Sequence, residues 1–399
     1  MKKYQLLVLV STIAYSFQAH TLCGQNNLIL NNCFDLYTDC PTRFTLYRLT
    51  GVTHWNQPTG GTPDYFNKCS RAESGIPDNH AGSQSTHCGD GYLGLVLFSD
   101  TRYYRRFCKE YREYIQTKLS VLTESDTVYY FRGFISLAQM SNVSTNSISI
   151  AFTKRPVRRM RFQGVLGIQT AIDFEMCEDQ IKYSWFEVSG FFSITAKARF
   201  LTIGNFSPDS AVMLNNLQVP QYFANRRRSQ TRTAYYYVDN VLLCKASSLK
   251  HHVDSLVLAR TIRRDGETAS NTISDNWICK DTLITLQMAF ENHSAIITDS
   301  TLVYELATFI EQTQADSLLI LGHTDATDNE INNLNLSLER AKAVQKALLR
   351  LSPHLVTEVY GMGSSRPVVG TKHPGYQKEN HRVEIYLKTQ CQKAEKDTR

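Results

Sequence analysis

Two opposite charges in the last third of the chain fall where binding chemistry could use them. Asp325 closes a Gly-His-Thr-Asp tetrad after the apolar run SLLILG, and Arg340 lies in LSLERAKAVQKALLRL. The spacing of Leu338, Ala341, Val344 and Leu348 predicts an amphipathic helix over that second string, with Arg340 in its first turn. That end of a helix disfavours a cation, by up to about 1 kcal/mol. Such an arginine either serves an anion from outside or makes a weak surface pair with Asp325 or Glu330. Thr324 and Asn333 flank the two charges. The chain carries no GxSxG, HExxH or Gly-rich phosphate loop, and its first half has no recognisable acid/base carboxylate pair. No CxxC or Cys/His spacing suggests zinc, so neither a metal nor a cofactor is expected.

The elements that must position these residues follow from periodicity. Residues 276–390 alternate strands with helices: LITLQMAF, SLLILG, EVYGMG and VEIYL read as strands. STLVYELATFIEQ reads as a helix with Leu302, Leu306, Phe309 and Ile310 on one face and Asp299 or Ser300 as cap. This is a small α/β domain. Residues 25–247 are rich in Tyr, Phe, Thr and Ser and alternate over short runs such as SISIAF, TVYYFRGFISL, WFEVSGFFSI, ARFLTIGNF and YYYVDNVLL, which predicts an all-β sandwich. RRFCKEYREYIQTKL is the exception, since Phe107, Tyr111 and Ile115 recur at helical spacing. Residues 248–275 are polar and poorly periodic, which suits a linker with at most one short element, and 391–399 form a polar tail.

Four motifs in order, GHTD, NxxLSxxRA (Asn333, Leu336, Ser337, Arg340, Ala341), YGMGSSRPV and NHRVEI, resemble the OmpA-like peptidoglycan-binding domain of bacterial envelope proteins. The resemblance implies that Asp325 and Arg340 hold the diaminopimelate of the peptidoglycan stem peptide, with Thr324 and Asn333 lining the site. The side-chain end of diaminopimelate carries an ammonium and a carboxylate on one carbon. Asp325 would accept from the ammonium and Arg340 would grip the carboxylate as a fork. His323 then reads as a loop-packing residue rather than a base. Asp328 stands where the family usually has glycine, and His381 where it more often has arginine.

The first half resembles the β-sandwich found ahead of OmpA-like domains in Bacteroidota envelope proteins, a jelly roll of the carbohydrate-binding-module type. Trp55, Tyr65 and Phe66 are aromatic residues that could stack on sugar, although in a sandwich such residues more often form core. Asp35 and Asp239 sit where such folds hold calcium, but two ligands are too few for a site. The basic runs KRPVRRMR and NRRRSQTR read as solvated loop charge, with an acidic polymer as the partner they would suit. Nucleic acid is not expected for an exported chain.

Export itself is read from residues 1–24, where two lysines precede an apolar run in the layout of a signal peptide. Losing Lys2 and Lys3 with that segment lowers the formal charge from +6 to +4, which says little about partners. Leu22 argues against lipidation of Cys23. Nine cysteines remain, disulfides are permitted, and Cys33 with Cys40 and Cys69 with Cys88 are near in sequence, though sequence leaves connectivity open. Short, irregular strands argue against a membrane barrel. The expectation is a non-catalytic periplasmic envelope protein, associated with the cell wall and the outer membrane. Its C-terminal domain binds peptidoglycan and its β domain a glycan or another envelope protein. The alternative is a wall-tethered glycan hydrolase with its active site in the β domain.

Overall fold

The computed structural model describes residues 26–393 except 101–109, 163, 177–181, 183, 227–230, 266–276, 279–281, 287–289, 292, 299, 314, 327, 370–378 and 390–391. The expected signal peptide, Cys23 and half of the second basic run therefore lie outside the described residues. Two compact units meet in sequence between Ala246 and Ser247.

The first unit is built from two five-stranded antiparallel sheets. One takes β1 (Trp55–Asn56), β4 (Tyr114–Lys118), β9 (Phe200–Gly204), β6 (Ser147–Thr153) and β7 (Ile172–Glu175), in that spatial order. The other takes β8 (Phe186–Ile194), β5 (Thr127–Leu137), β10 (Thr233–Lys245), β3 (Gly91–Ser99) and β2 (Asp64–Asn67). From β3 to β10 the chain changes sheet at each step except β6 to β7. Inward residues of both sheets, among them Leu95, Phe131, Ile150, Ile203 and Tyr236, form one core. The run Tyr235-Tyr236-Tyr237 shows how strand alternation works here. Tyr236 faces that core, while Tyr235 and Tyr237 join Phe66 and Tyr92 in a second cluster on the other face of the sheet. A strand covered on both faces loses its polar side, which is why β10 is buried along nearly its whole length.

Two expectations are corrected here. REYIQTKL is not helical: Tyr114–Lys118 is the strand β4, and Ile115 points into the core because its neighbours β1 and β9 offer ladder partners on both sides. Phe107 lies outside the described residues. The disulfides are Cys33–Cys88 and Cys40–Cys69, not the pairs nearest in sequence. The chain from 33 to 40 lies against the β2–β3 connection, where Lys68 N donates to Asp90 O, so each cysteine meets a partner on that connection rather than closing a short loop of its own. Cys244 is a buried thiol, and Cys108, Cys177, Cys279 and Cys391 lie outside the described residues.

The second unit begins with a helix. Residues expected as linker instead form α1 (Ala246–Asp265), which buries His252 and Val253; the spacing hid this because charged residues interrupt its apolar side. A four-stranded sheet follows in the order β11 (Thr282–Leu286), β14 (Val383–Thr389), β12 (Ala315–Gly322), β13 (Val356–Gly361). Its β12–β13 pair is parallel and the others antiparallel. In the expected polar tail, Gln392–Lys393 pairs with Trp277–Ile278.

Two helices pack in this unit. α2 (Thr301–Thr313) buries Val303, Leu306, Ala307 and Ile310, whereas Phe309, expected inward, is more than a third exposed. α3 (Glu330–Leu351) makes the crossover between β12 and β13 and buries Leu338, Ala341, Val344 and Leu348 as the spacing predicted. Its backbone comes down onto the ends of both strands. A Cβ on Gly322 would lie 1.9 Å from Ser337 O, and one on Gly361 would lie 2.4 Å from Leu334 O. Both glycines are required by that approach, not by backbone dihedrals.

Candidate functional site

α3 starts earlier than the apolar spacing suggested. Asn329 is its N-cap, accepting from Asn332 N at 2.9 Å, so Arg340 lies mid-helix and not in the first turn. The dipole argument for an anionic partner therefore fails, because the field of the helix end fades within about one turn. What marks Arg340 instead is burial. Asn333, Ser337 and Arg340 continue the core-facing stripe of α3 toward its N-terminus, and those polar residues hid the helix from periodicity.

The strand-end loop carries the opposite charge. His323 N donates to Arg382 O at 2.9 Å and Thr324 N to Gly363 O at 3.0 Å, which pins the loop on both sides and buries Thr324 and Asp325. Ser337 locks the helix to the same place: its hydroxyl donates to Leu334 O at 2.8 Å and accepts from Gly363 N at 2.9 Å. Beneath the loop, Arg382 bonds Glu384 at 2.9 and 2.6 Å, and the His323 ring approaches Glu384 at 3.4 Å. Burial raises the Glu384 carboxyl, but His323 and Arg382 outweigh it and hold the pKa down to about 2. Burial lowers the His323 pKa, which favours the neutral ring.

At the site itself the electrostatics are uneven. Asp325 Oδ1 lies 3.0 Å from His381 Nε2. Arg340 stacks its guanidinium over the Phe290 ring at 5.0 Å and donates from Nε to Ser294 O at 3.0 Å, yet its buried Nη1 has no hydrogen-bond partner among the described residues. Burial lowers the Arg340 pKa and the nearby Asp325 charge opposes the shift. The Thr324 hydroxyl is likewise buried without a partner. Asn333 holds the loop by donating to Asp328 O at 2.9 Å. The structure thus brings all four sequence-predicted residues to one place, although Asn333 acts there on the loop. Phe290, Ser294 and His381 complete the site; the first two come from a segment with no motif to mark it. The Asp328 carboxylate accepts from Asn329 N at 2.7 Å and Asn332 Nδ2 at 2.9 Å, bonds that lower its pKa.

In the β unit the aromatic candidates are core. Trp55, Tyr65 and Phe66 are all buried; Trp55 Nε1 donates to Asn31 O at 3.0 Å and Tyr65 OH to Phe34 O at 2.9 Å. No face is left for sugar. Asp239 accepts from His87 N at 2.8 Å, Cys88 N at 2.9 Å and Asn240 N at 2.7 Å, and burial still pushes its pKa up to about 7. Asp35 binds Asp90 N beside the same turn. Both carboxylates serve backbone donors, and among the described residues no cluster of His, Cys, Asp or Glu is placed to hold a metal.

Residues 289–381 match the OmpA family. Over 92 residues the chain is 35% identical to outer membrane porin F of Pseudomonas fluorescens, a match spanning 23% of this chain and 28% of that protein's length. Solved structures with a similar segment include the peptidoglycan-associated lipoprotein of Burkholderia pseudomallei (24% identical, 26% of this chain and 88% of that one, TM-score 0.23). They also include the cell wall anchor of the T6SS of Pseudomonas aeruginosa (21% identical, 29% and 89%, TM-score 0.24).

Proposed function

We propose, from the premise that residues 289–381 form an OmpA family domain, that this domain binds peptidoglycan non-covalently and that Asp325 and Arg340 receive the diaminopimelate of its stem peptide. The observation that carries the reading is the buried guanidinium with an unmet Nη1 donor close enough to Asp325 to feel its charge. A buried donor left unmade costs roughly 1–3 kcal/mol, and this one lies where Asp325 supplies the opposite charge, so a ligand acceptor at Nη1 would recover that cost. The ligand carboxylate takes Nη1, its ammonium approaches Asp325, and the unmet Thr324 hydroxyl lies beside them. Asn333 fixes the loop through Asp328 O.

The chain is then an exported, non-catalytic envelope protein of the periplasm, associated with the wall and the outer membrane. Its β unit, read as a jelly roll from the alternation of strands between sheets, engages a glycan or another envelope protein. A wall-tethered hydrolase would need carboxylates free to meet substrate. Two neighbouring carboxylates of the β unit, Asp64 and Glu113, are instead buried and occupied by protein donors.

Sedimentation with purified sacculi tests the site. Arg340→Ala should lose binding by roughly 2–5 kcal/mol, because the ligand charge loses its buried partner. Arg340→Lys should also bind poorly, since a point charge cannot reproduce the guanidinium plane. Unchanged sedimentation of either variant, with an unchanged thermal melt, removes the proposal. Release of muropeptides from sacculi by the wild-type protein would remove the non-catalytic reading.

A further inference from the structure

Two neighbouring loops of the β unit hold exposed apolar side chains among cations that have no ion-pair partner among the described residues, and we propose that together they dock this unit onto the anionic headgroups of a lipid bilayer. The first loop, residues 43–48 (RFTLYR), exposes Phe44, Leu46 and Tyr47, the last at 86%, with Arg43 and Arg48 at its ends. The second, residues 154–162 (KRPVRRMRF), exposes Lys154, Arg155, Arg158, Arg159 and Arg161. It ends on Met160 and Phe162, 46% and 38% exposed. Neither loop contains Asp or Glu.

The loops are neighbours because one buried strap, residues 57–60, holds both. Gln57 Nε2 donates to Tyr47 O at 3.1 Å and its Oε1 accepts from Leu49 N. Pro58 O accepts from Arg159 N at 2.8 Å, and Gly60 N donates to Phe162 O at 2.7 Å. The buried carboxylates Asp64 and Glu113, which hold backbone of this region, are occupied by other partners. Asp64 accepts from Thr45 N, Tyr235 OH and, at 3.4 Å, faces His80; Glu113 accepts from Thr62, Val96 and Tyr111. Among the described residues none of the loop cations has an ion-pair partner.

Cations alone would suit any polyanion. The apolar companions decide between partners: on a hydrated acidic polymer Phe44, Tyr47, Met160 and Phe162 would stay wet, whereas at a headgroup boundary they leave water while the arginines meet phosphates. No helix among the described residues is long and apolar enough to cross a membrane, so the contact argued here is peripheral.

The test is flotation of the purified protein with vesicles of phosphatidylcholine alone or mixed with phosphatidylglycerol, beside a soluble polyuronate; no wall is present, so failure of the peptidoglycan site does not affect it. Binding should require phosphatidylglycerol. The triple variant Arg155→Gln/Arg158→Gln/Arg161→Gln should lose roughly a hundredfold in vesicle affinity. Met160→Ser/Phe162→Ser should lose about tenfold on vesicles and nothing on polyuronate. Leu46→Ser/Tyr47→Ser on the other loop gives the same readout should the first pair disturb folding. Binding indifferent to phosphatidylglycerol, or vesicle binding that survives both apolar variants, overturns the proposal; the second result would mark a polyanion surface instead.

Discussion

Glu113 in the β unit and Arg340 in the α/β unit are equally withdrawn from water, at 3% and 4% exposure, and the fold treats them in opposite ways. Glu113 accepts from Thr62 N at 3.2 Å, the Thr62 hydroxyl at 3.4 Å, Tyr111 OH at 2.6 Å and Val96 N at 2.8 Å. Among the described residues Arg340 donates to Ser294 O and stacks on an aromatic ring. Burial alone therefore does not mark function. A saturated group has nothing left to offer a ligand, whereas the unmet Nη1 of Arg340 has.

The largest effect should come from breaking the saturated member. Glu113→Ala strands Thr62 N, Val96 N and Tyr111 OH in the interior and should cost roughly 3–5 kcal/mol of stability, read from urea unfolding, with sacculus binding per folded molecule unchanged. Arg340→Ala should shift stability by under about 1 kcal/mol. It gives up one hydrogen bond and the ring contact but also relieves the burial that lowers the guanidinium pKa. Comparable losses from the two substitutions would erase the distinction between them.

The placement of the candidate residues was more legible than the reasons for it. Asp325, Arg340, Thr324 and Asn333 were marked by motif, and the strands SLLILG and EVYGMG by their apolar runs. Arg340's position along the helix was misread because Asn333 and Ser337 occupy core-facing positions, and periodicity counts only apolar residues. Ser294 and Phe290 reach Arg340 from a segment distant in sequence, so no local pattern could find them. The disulfides and α1 were missed for a similar reason. Pairing follows which loops tertiary structure brings together, and a helix whose apolar side is interrupted by charge has too weak a period to see.

A pH series sharpens the contrast between the units. Glu113 and Asp239 both have pKa values pushed up to about 7, in each case mainly by burial. Unfolded carboxyls titrate near 4, so between about pH 4 and 7 the folded β unit holds more protons than the unfolded chain. Its stability is greatest at the acid end of that window and falls as pH rises through 7, by up to about 3 kcal/mol for each group. The α/β unit has the opposite sign. Glu384, held at about 2, contributes stability that is present above the unfolded value and lost as pH falls through 2, and neutral buried His323 loses stability as the unfolded ring gains its proton below about pH 6.5. Hydrogen exchange resolved by unit should show protection rising in one and falling in the other as pH drops from about 8 to 5. Parallel responses would contradict these assignments. Glu113→Gln should flatten only the β-unit response.

The smallest expected effect separates glycines that the fold requires from one it merely tolerates. Gly322 has no room for a methyl group, since α3 rests on it. Gly133 in β5 faces a small apolar void lined by Phe131, Ile135, Ile150, Phe174, Val188 and Val238. A Cβ there would meet Phe131 ring atoms at 3.4 Å and Val188 Cγ2 at 3.9 Å, and the backbone is not left-handed. Gly133→Ala should therefore stabilise the β unit by about 0.5–1 kcal/mol, through lower entropy of the unfolded chain and new contacts across the void. A raised urea midpoint with unchanged slope is the expected result. A loss above about 1 kcal/mol would show that the sheets are already packed to contact at this point, and that Gly133, like Gly322, is there because two parts of the fold need the space.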